Sequence, residues 1–247
     1  MKTSIITIAY DKDLEYLKCS LKSIKKFCTG YHENVVVIDD HKNDCVETQK
    51  YLDSIGQKYF INKEAKKIKI GYIRQQYIKL FSEQYVSGDT DYICHVDSDN
   101  IFTGYHNPSV YFKKDKPILG IQKWSCMPNT TFKPWTDQTL EYESDYNFMR
   151  RMPLVYHADI SLKLREYILN LKGDVIDYLN SLETISEYNL FGAYAYKFTR
   201  DSFHWIDVKE SPDEWKQANE SLPCTQFSSR INNPRYIDIF KLKKLLN

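Results

Sequence analysis

Nothing in this sequence approaches the run of about 20 apolar residues that a membrane-spanning helix requires. The opening MKTSIITIAYDKD has too short an apolar stretch for a signal peptide before acids arrive. A formal net charge of +1 lacks the basic excess of a nucleic-acid binder, so no nucleic-acid partner is expected. The six cysteines (Cys19, Cys28, Cys45, Cys94, Cys126 and Cys224) form no CxxC pair and no dense framework. Scattered thiols inside apolar patterns point to a reducing, cytoplasmic setting without structural zinc. No internal repeat, low-complexity tract or linker divides the chain, which reads as one domain over 1–247.

What is present is ordinary for a soluble globular protein, with 42% hydrophobic and 27% charged residues. The 20 tyrosines suit sugar rings or nucleobases, but tyrosine with Lys, Ile and Asn also accumulates through codon bias, so the count alone assigns no ligand. Two glycosylation sequons, at Asn129 and Asn219, matter only in a secreted protein. The terminal KLKKLLN is basic and amphipathic, which leaves peripheral attachment to a membrane open.

The first hundred residues alternate regularly. SIITIAY is a β-rich apolar run ending before Asp11, and Leu14, Leu17, Leu21, Ile24 and Cys28 then recur at helical spacing behind Asp13, a candidate N-cap. NVVVIDD is a strand buried on both faces, which is the mark of a parallel sheet. CVETQKYLDSI reads as a helix and QKYFINK as a strand. GYIRQQYIKLFSEQY reads as a helix with a stripe of Ile73, Tyr77, Leu80 and Gln84, and TDYICHV as the next strand. The fold class is therefore α/β, with a mostly parallel sheet flanked by helices. Beyond Phe102 the pattern loosens. KPILGIQKW reads as a strand, and the segment to Ile160 as loop-rich. SLKLREYILNLKGDVIDYLNSL is helix with a break at Gly173, SEYNLFGAYAYKF is open between helix and strand, and the tail is irregular.

Asp97 and Asp99 leave the strand TDYICHV two residues apart, and Asp39 and Asp40 leave NVVVI in the same way. Ligands of open parallel sheets bind beyond the carboxyl ends of the strands, so these acids are expected on one rim. If the extended conformation continues through Ser98, Asp97 and Asp99 point to the same side. Two hard oxygen donors there suit Mg²⁺ or Mn²⁺ and leave positions for water and phosphate. A solvated turn is the bland alternative, because D-x-D arises often by chance. Arg74 and Gln75 fall near the first turn of their helix, where anions are favoured, and Lys79 shares the face of Gln75; these residues either meet a phosphate or donor sugar or form a solvated polar face opposite the Ile73, Tyr77 and Leu80 stripe.

SIITIAY, LKCSLKSI, NVVVIDD, GYIRQQYIKLF and DYICHVDSDNIF together resemble the nucleotide-sugar-binding half of GT-A-fold glycosyltransferases. The likeness is to the family-2-like group and to related DxD proteins with an RQQxxKL helix before the motif. It covers residues 1–105 in detail and the acceptor-binding half, 106–247, in outline. It implies a GT-A domain that moves a hexosyl or deoxyhexosyl group from a nucleotide-diphospho-sugar to a glycan or glycoconjugate acceptor, with Mn²⁺ or Mg²⁺ as cofactor. Residue by residue, it implies Asp39 or Asp40 at the nucleoside, Asp97 at ribose and metal, and Asp99 at metal and diphosphate. IDDHKND replaces the usual DDGS-like continuation and leaves the donor unassigned.

The same resemblance implies an acceptor-side base that opens a late helix, for which Glu187 in ISEYNLFG fits by order, with Asp145 and Asp159 as rivals. It also implies a third metal ligand near the C-terminus, His204 by order, against packing beside Trp205. His95 lies within a strand and reads as core, and His157 has no spacing that requires a role. Trp124, Trp135 and Tyr142 either stack on sugars or pack beneath loops. Two other readings stand beside this one. A sugar nucleotidyltransferase would carry a glycine-rich basic loop after the first strand, where AYDKDLEY has no glycine. A non-catalytic nucleotide- or carbohydrate-binding protein on the same fold would bind without turnover. A haloacid-dehalogenase-type phosphatase is disfavoured, because DSDNI lacks the Thr or Val of its motif.

Overall fold

The computed structural model describes residues 1–40, 45–150, 152–226, 243, 244 and 246. The first half runs β1 (Thr3–Ala9), α1 (Leu14–Phe27), β2 (Glu33–Asp39), α2 (Val46–Ser54), β3 (Tyr59–Asn62), α3 (Gly71–Leu80) and β4 (Tyr92–His95). β1 is buried at every position and pairs in parallel with β2 on one side and β4 on the other. β3 extends the parallel run beyond β2.

Alternate side chains of these strands feed two cores. Ile6, Ile8, Val35, Val37 and Ile93 face a layer with Ile73 and Tyr77 of α3. Ile5, Ala9, Val36, Ile38 and Cys94 face Leu17 and Leu21 of α1 and Leu52 of α2. Runs of Val and Ile without polar alternation require such a two-sided burial.

The second half comprises β5 (Asn100–Phe102), β6 (Phe112–Lys113), β7 (Lys116–Lys123), α4 (Lys133–Leu140), β8 (Tyr146–Asn147), β9 (Leu154–His157), α5 (Asp159–Lys172), α6 (Val175–Asn180), α7 (Glu187–Phe198), β10 (His204–Asp207), α8 (Pro212–Glu220) and β11 (Cys224–Gln226). β9 pairs antiparallel with β4 and closes the main sheet in the order β3-β2-β1-β4-β9, so both halves build it. β10, β7 and β6 form a smaller sheet to which β8 adds, and β11 pairs antiparallel with β5.

The second half is more regular than its sequence suggests. SEYNLFGAYAYKF is helix α7, because the Asn189 backbone N–H donates to Ser186 Oγ at 3.3 Å and caps its start. Gly173, at φ +75°, ends α5, and Asp174 Oδ1 accepts from Ile176 N and Asp177 N to open α6. The expected irregular tail holds β10, α8 and β11; Pro212 in the first turn with Asp213 and Glu214 starts α8. Asp13 does precede α1, but its side chain makes no cap hydrogen bond.

Gly192 lies where α7 crosses Phe148, and a Cβ there would stand 2.3 Å from Phe148 Cβ and Cγ. Gly192→Ala is expected to cost about 1–3 kcal/mol by overpacking. Urea unfolding checks this, and an unchanged midpoint would show that α7 tolerates displacement from Phe148.

Candidate active site

The acids converge at the carboxyl ends of β2 and β4. After β4 the chain does not stay extended: Val96 N donates to Ile6 O, and Asn100 N donates to Asp97 O at 2.9 Å, closing a turn over Ser98 and Asp99. Asp97 and Asp99 therefore meet through a turn rather than through strand alternation. Both face the Gln226 amide, whose Nε2 lies 3.5 Å from Asp97 Oδ2 and 3.5 Å from Asp99 Oδ1. Burial first, and then the charge of Asp97, lift the Asp99 carboxyl to about 7, with Gln226 acting in the opposite direction.

Lys79 is the centre of the site. α3 lies on the sheet with Gln76 to Leu80 all buried, and Lys79 is only 3% exposed. Its Nζ donates to Asp97 Oδ1 at 2.8 Å and to Glu187 Oε1 at 2.5 Å. Burial pushes the ammonium down, but Asp97 and then Glu187 outweigh it and keep Lys79 charged. Its Nζ also stands 5.0 Å from the centroid of the Tyr188 ring, a further favourable contact for the cation.

Glu187 opens α7 and is 1% exposed. Its backbone N–H donates to Gln76 Oε1 at 3.0 Å, so α3 fixes both the start of α7 and the carboxylate that it carries. Burial raises the Glu187 carboxyl and Lys79 opposes that rise. The rival acids stand apart: Asp159 follows β9 at the amino end of β4, where His157 pairs with Tyr92, and Asp145 is exposed.

The nucleoside-side candidates divide. Asp39 is buried, and Arg74 Nε donates to its Oδ2 at 3.0 Å. Asp40, just after β2, accepts from Cys45 N at 3.3 Å. The intervening 41–44, which carry the unusual HKND, lie outside the described residues. Gln75 is half-buried on the same helix as Arg74. Tyr10, at the end of β1, feels Asp13, Asp99 and Asp39, and burial raises its hydroxyl.

Several expected residues are placed elsewhere. The His204 Nε2 lies 2.7 Å from Glu214 Oε1 in the smaller sheet, where Lys113 holds the same carboxylate, and it is not brought to Asp97 and Asp99. His95 is core, as its strand position implied: Ser82 Oγ and Tyr156 Oη lie 2.6 and 2.7 Å from its Nε2, and burial drives its pKa well down. Trp124 is buried, and the Tyr142 hydroxyl donates to Ala193 O, so both serve packing.

Three contributors carry no clear signal in the sequence. Gln226 comes from a tail strand with no distinctive pattern, and Gln76 reads as an ordinary polar helix residue. Tyr72 stands 42% exposed and stacks on Phe132 at 6.4 Å, and burial and then the charge of Glu187 raise its hydroxyl.

Among the described residues no cluster of three or more His, Cys, Asp or Glu could hold a metal ion. The chain itself offers two carboxylates, Asp97 and Asp99. Two acids are enough for a hard cation of the Mg²⁺ kind, which fills its remaining positions with water and substrate phosphate. Burial and then the charge of Asp97 lift Asp99, and a cation between the two carboxylates offsets both, so the donor set fits it.

A mostly parallel sheet between helices, with acids gathered beyond its carboxyl edge, defines the α/β class that binds ligands at that edge. No protein-family model matches the chain, and neither does any curated protein sequence. Among solved structures, it is similar to the galactosyltransferase LgtC in complex with donor and acceptor sugar analogues, at a TM-score of 0.61 and 10% identity, over 98% of this chain and 95% of that one. The chain has the GT-A fold of that glycosyltransferase, and at this identity the likeness extends to the fold alone. No helix among the described residues is long and apolar enough to cross a membrane.

Proposed function

We propose that this chain is a metal-dependent glycosyltransferase that carries a sugar from a nucleotide-diphospho-sugar to a hydroxyl of a glycan or glycoconjugate. The observation that carries the reading is the buried ion-pair network in which Lys79 joins Asp97 to Glu187, beyond the carboxyl edge of a GT-A sheet. A buried ammonium and carboxylate, joined to a second carboxylate that is only partly exposed, are costly to maintain, and a merely structural purpose is met more cheaply by apolar packing.

In this reading Asp97 and Asp99 would hold Mn²⁺ or Mg²⁺, which would supply positive charge against a departing nucleoside diphosphate. Asp39, oriented by Arg74, takes the nucleoside end. Gln226 steadies the two metal-side carboxylates. Glu187 receives the acceptor proton on an inverting course. Its burial supplies proton affinity, and Lys79 keeps it ionised until the hydroxyl arrives. The exposed face of Tyr72 forms a wall for the acceptor beside Glu187.

The test is transfer and donor hydrolysis with Mn²⁺ across a panel of nucleotide-sugars. Glu187→Gln is expected to lower kcat by about 10²-fold or more while nucleotide affinity stays within a few-fold. Full activity in that variant would remove Glu187 from the base role. Tight nucleotide binding with no turnover on any donor would favour the binding-protein reading instead.

A further inference from the structure

A cavity of about 740 Å³ lies at the other end of the sheet. Glu33 and Asn34, which begin β2, and Gln57, which precedes β3, line it, whereas Asp39 and Asp97 stand at or beyond strand carboxyl ends. The cavity is thus separate from the acid cluster, and a ligand bound there is independent of the proposed glycosyl transfer. Its volume falls in the range of about 300–1,000 Å³ typical of small-molecule sites.

Its walls have two characters. Leu21 and Ile24 of α1, with Ile55 beyond the end of α2, supply apolar surface. Lys18, Lys22 and Lys25 follow one another at helical spacing along α1, and Lys243 joins them. Glu33 is the acid among the described lining residues, and it is already held by Lys58 at 2.5 Å. Outside the lining, Glu15 pairs with Lys18 at 2.6 Å and also with Lys243. With Glu15 counted beside the lining, the described residues set four lysines against two acids, and the net charge is positive.

An apolar hollow edged by lysines complements one kind of molecule: an apolar chain that ends in an anion. The chain gains by leaving water in proportion to its buried area. The head gains from ammonium groups that outnumber the carboxylates of Glu33 and Glu15 around them. A cationic or uncharged amphiphile would meet the same walls without the second gain. Inorganic phosphate would forgo the first.

We infer that this cavity binds a single-chain anionic amphiphile, an alkyl chain ending in phosphate or carboxylate, with the chain against Leu21, Ile24 and Ile55 and the head at Lys22 and Lys25. The probe is dodecyl phosphate below its micellar concentration, titrated into the full chain by calorimetry and by thermal shift. Dodecyltrimethylammonium and inorganic phosphate serve as controls.

Dodecyl phosphate is expected to bind one to one and raise the melting temperature, as any ligand of the folded state does. Neither control should match it. Ile55→Trp fills the apolar part from a position 46% exposed in the native chain, and Lys22→Glu/Lys25→Glu reverses the exposed charges. Each is expected to weaken binding by about tenfold or more. Because these positions are on the surface, melting curves without ligand will show whether each variant is folded.

Flotation with phosphatidylcholine vesicles, with and without phosphatidylglycerol, separates two sources of the same chemistry. Co-flotation that needs phosphatidylglycerol and is lost in both variants would assign the chain to a membrane lipid. One-to-one binding of dodecyl phosphate without co-flotation would assign it to a free amphiphile. Equal binding of the cationic amphiphile, no binding at all, or binding unchanged in both variants would overturn the inference.

Discussion

Lys79→Met is expected to destabilise the protein by about 3–5 kcal/mol, the range found when one partner is removed from a buried charge pair. The substitution leaves Asp97 and Glu187 near each other with the cation between them gone. Glu187 is 1% exposed and the Asp97 side chain 16%, so water screens the repulsion only in part. Glu187 is positioned to respond by taking up a proton, since burial already raises its carboxyl. The double variant Lys79→Met/Glu187→Gln should therefore recover part of the loss, giving a clear coupling energy in a double-mutant cycle. Urea unfolding measures all three. A loss below about 1 kcal/mol for the single variant, the scale of exposed pairs, would mean that the network is solvent-screened.

The second large effect concerns Asp99 and pH. Its carboxyl is raised to about 7, first by burial and then by Asp97, so below neutrality it carries a proton that a metal must displace. Metal-dependent nucleotide affinity is expected to fall about tenfold for each pH unit below 7. Asp99→Asn should abolish that metal dependence and flatten the pH profile. In the metal-free protein the sign is opposite. A carboxyl whose folded value lies above its ordinary value of 3.8 contributes stability that is fully present below that value and is lost as pH rises through about 7. Metal-free Asp99→Asn is thus expected to melt above the wild type at pH 8 and to lose that advantage at pH 4. Equal melting temperatures at both pH values would show that Asp99 is not held against its own charge.

The first half of the fold was legible because β1 and β2 are runs of Ile and Val with no polar alternation, which only a sheet covered on both faces tolerates. Asp97 and Asp99 were legible for the same reason, as acids that follow a buried strand. Their geometry was not, since the turn over Ser98 depends on one hydrogen bond from Asn100 that leaves no compositional trace.

Lys79 shows the deeper obstacle. A lysine on an amphipathic helix ordinarily marks the solvated face, and its second partner, Glu187, is 108 positions away. Gln226 reaches Asp97 across 129 positions from a segment with little local pattern. Asp40 illustrates the converse: it shares the sequence signal of Asp39, but its carboxylate accepts from the backbone of Cys45. β9, too, is a short strand among polar and aromatic residues, and only its pairing with β4 brings it into the sheet. Contacts set by tertiary packing override local preference at all these positions.

The most direct test of the central claim is calorimetric titration of UDP, GDP, CDP and dTDP into the wild-type protein, with Mn²⁺ and then with a chelator. Binding of at least one diphosphate to a single site, present with Mn²⁺ and lost with the chelator, is the predicted result. Binding of none of the four, or equal affinity with and without metal, would contradict the account.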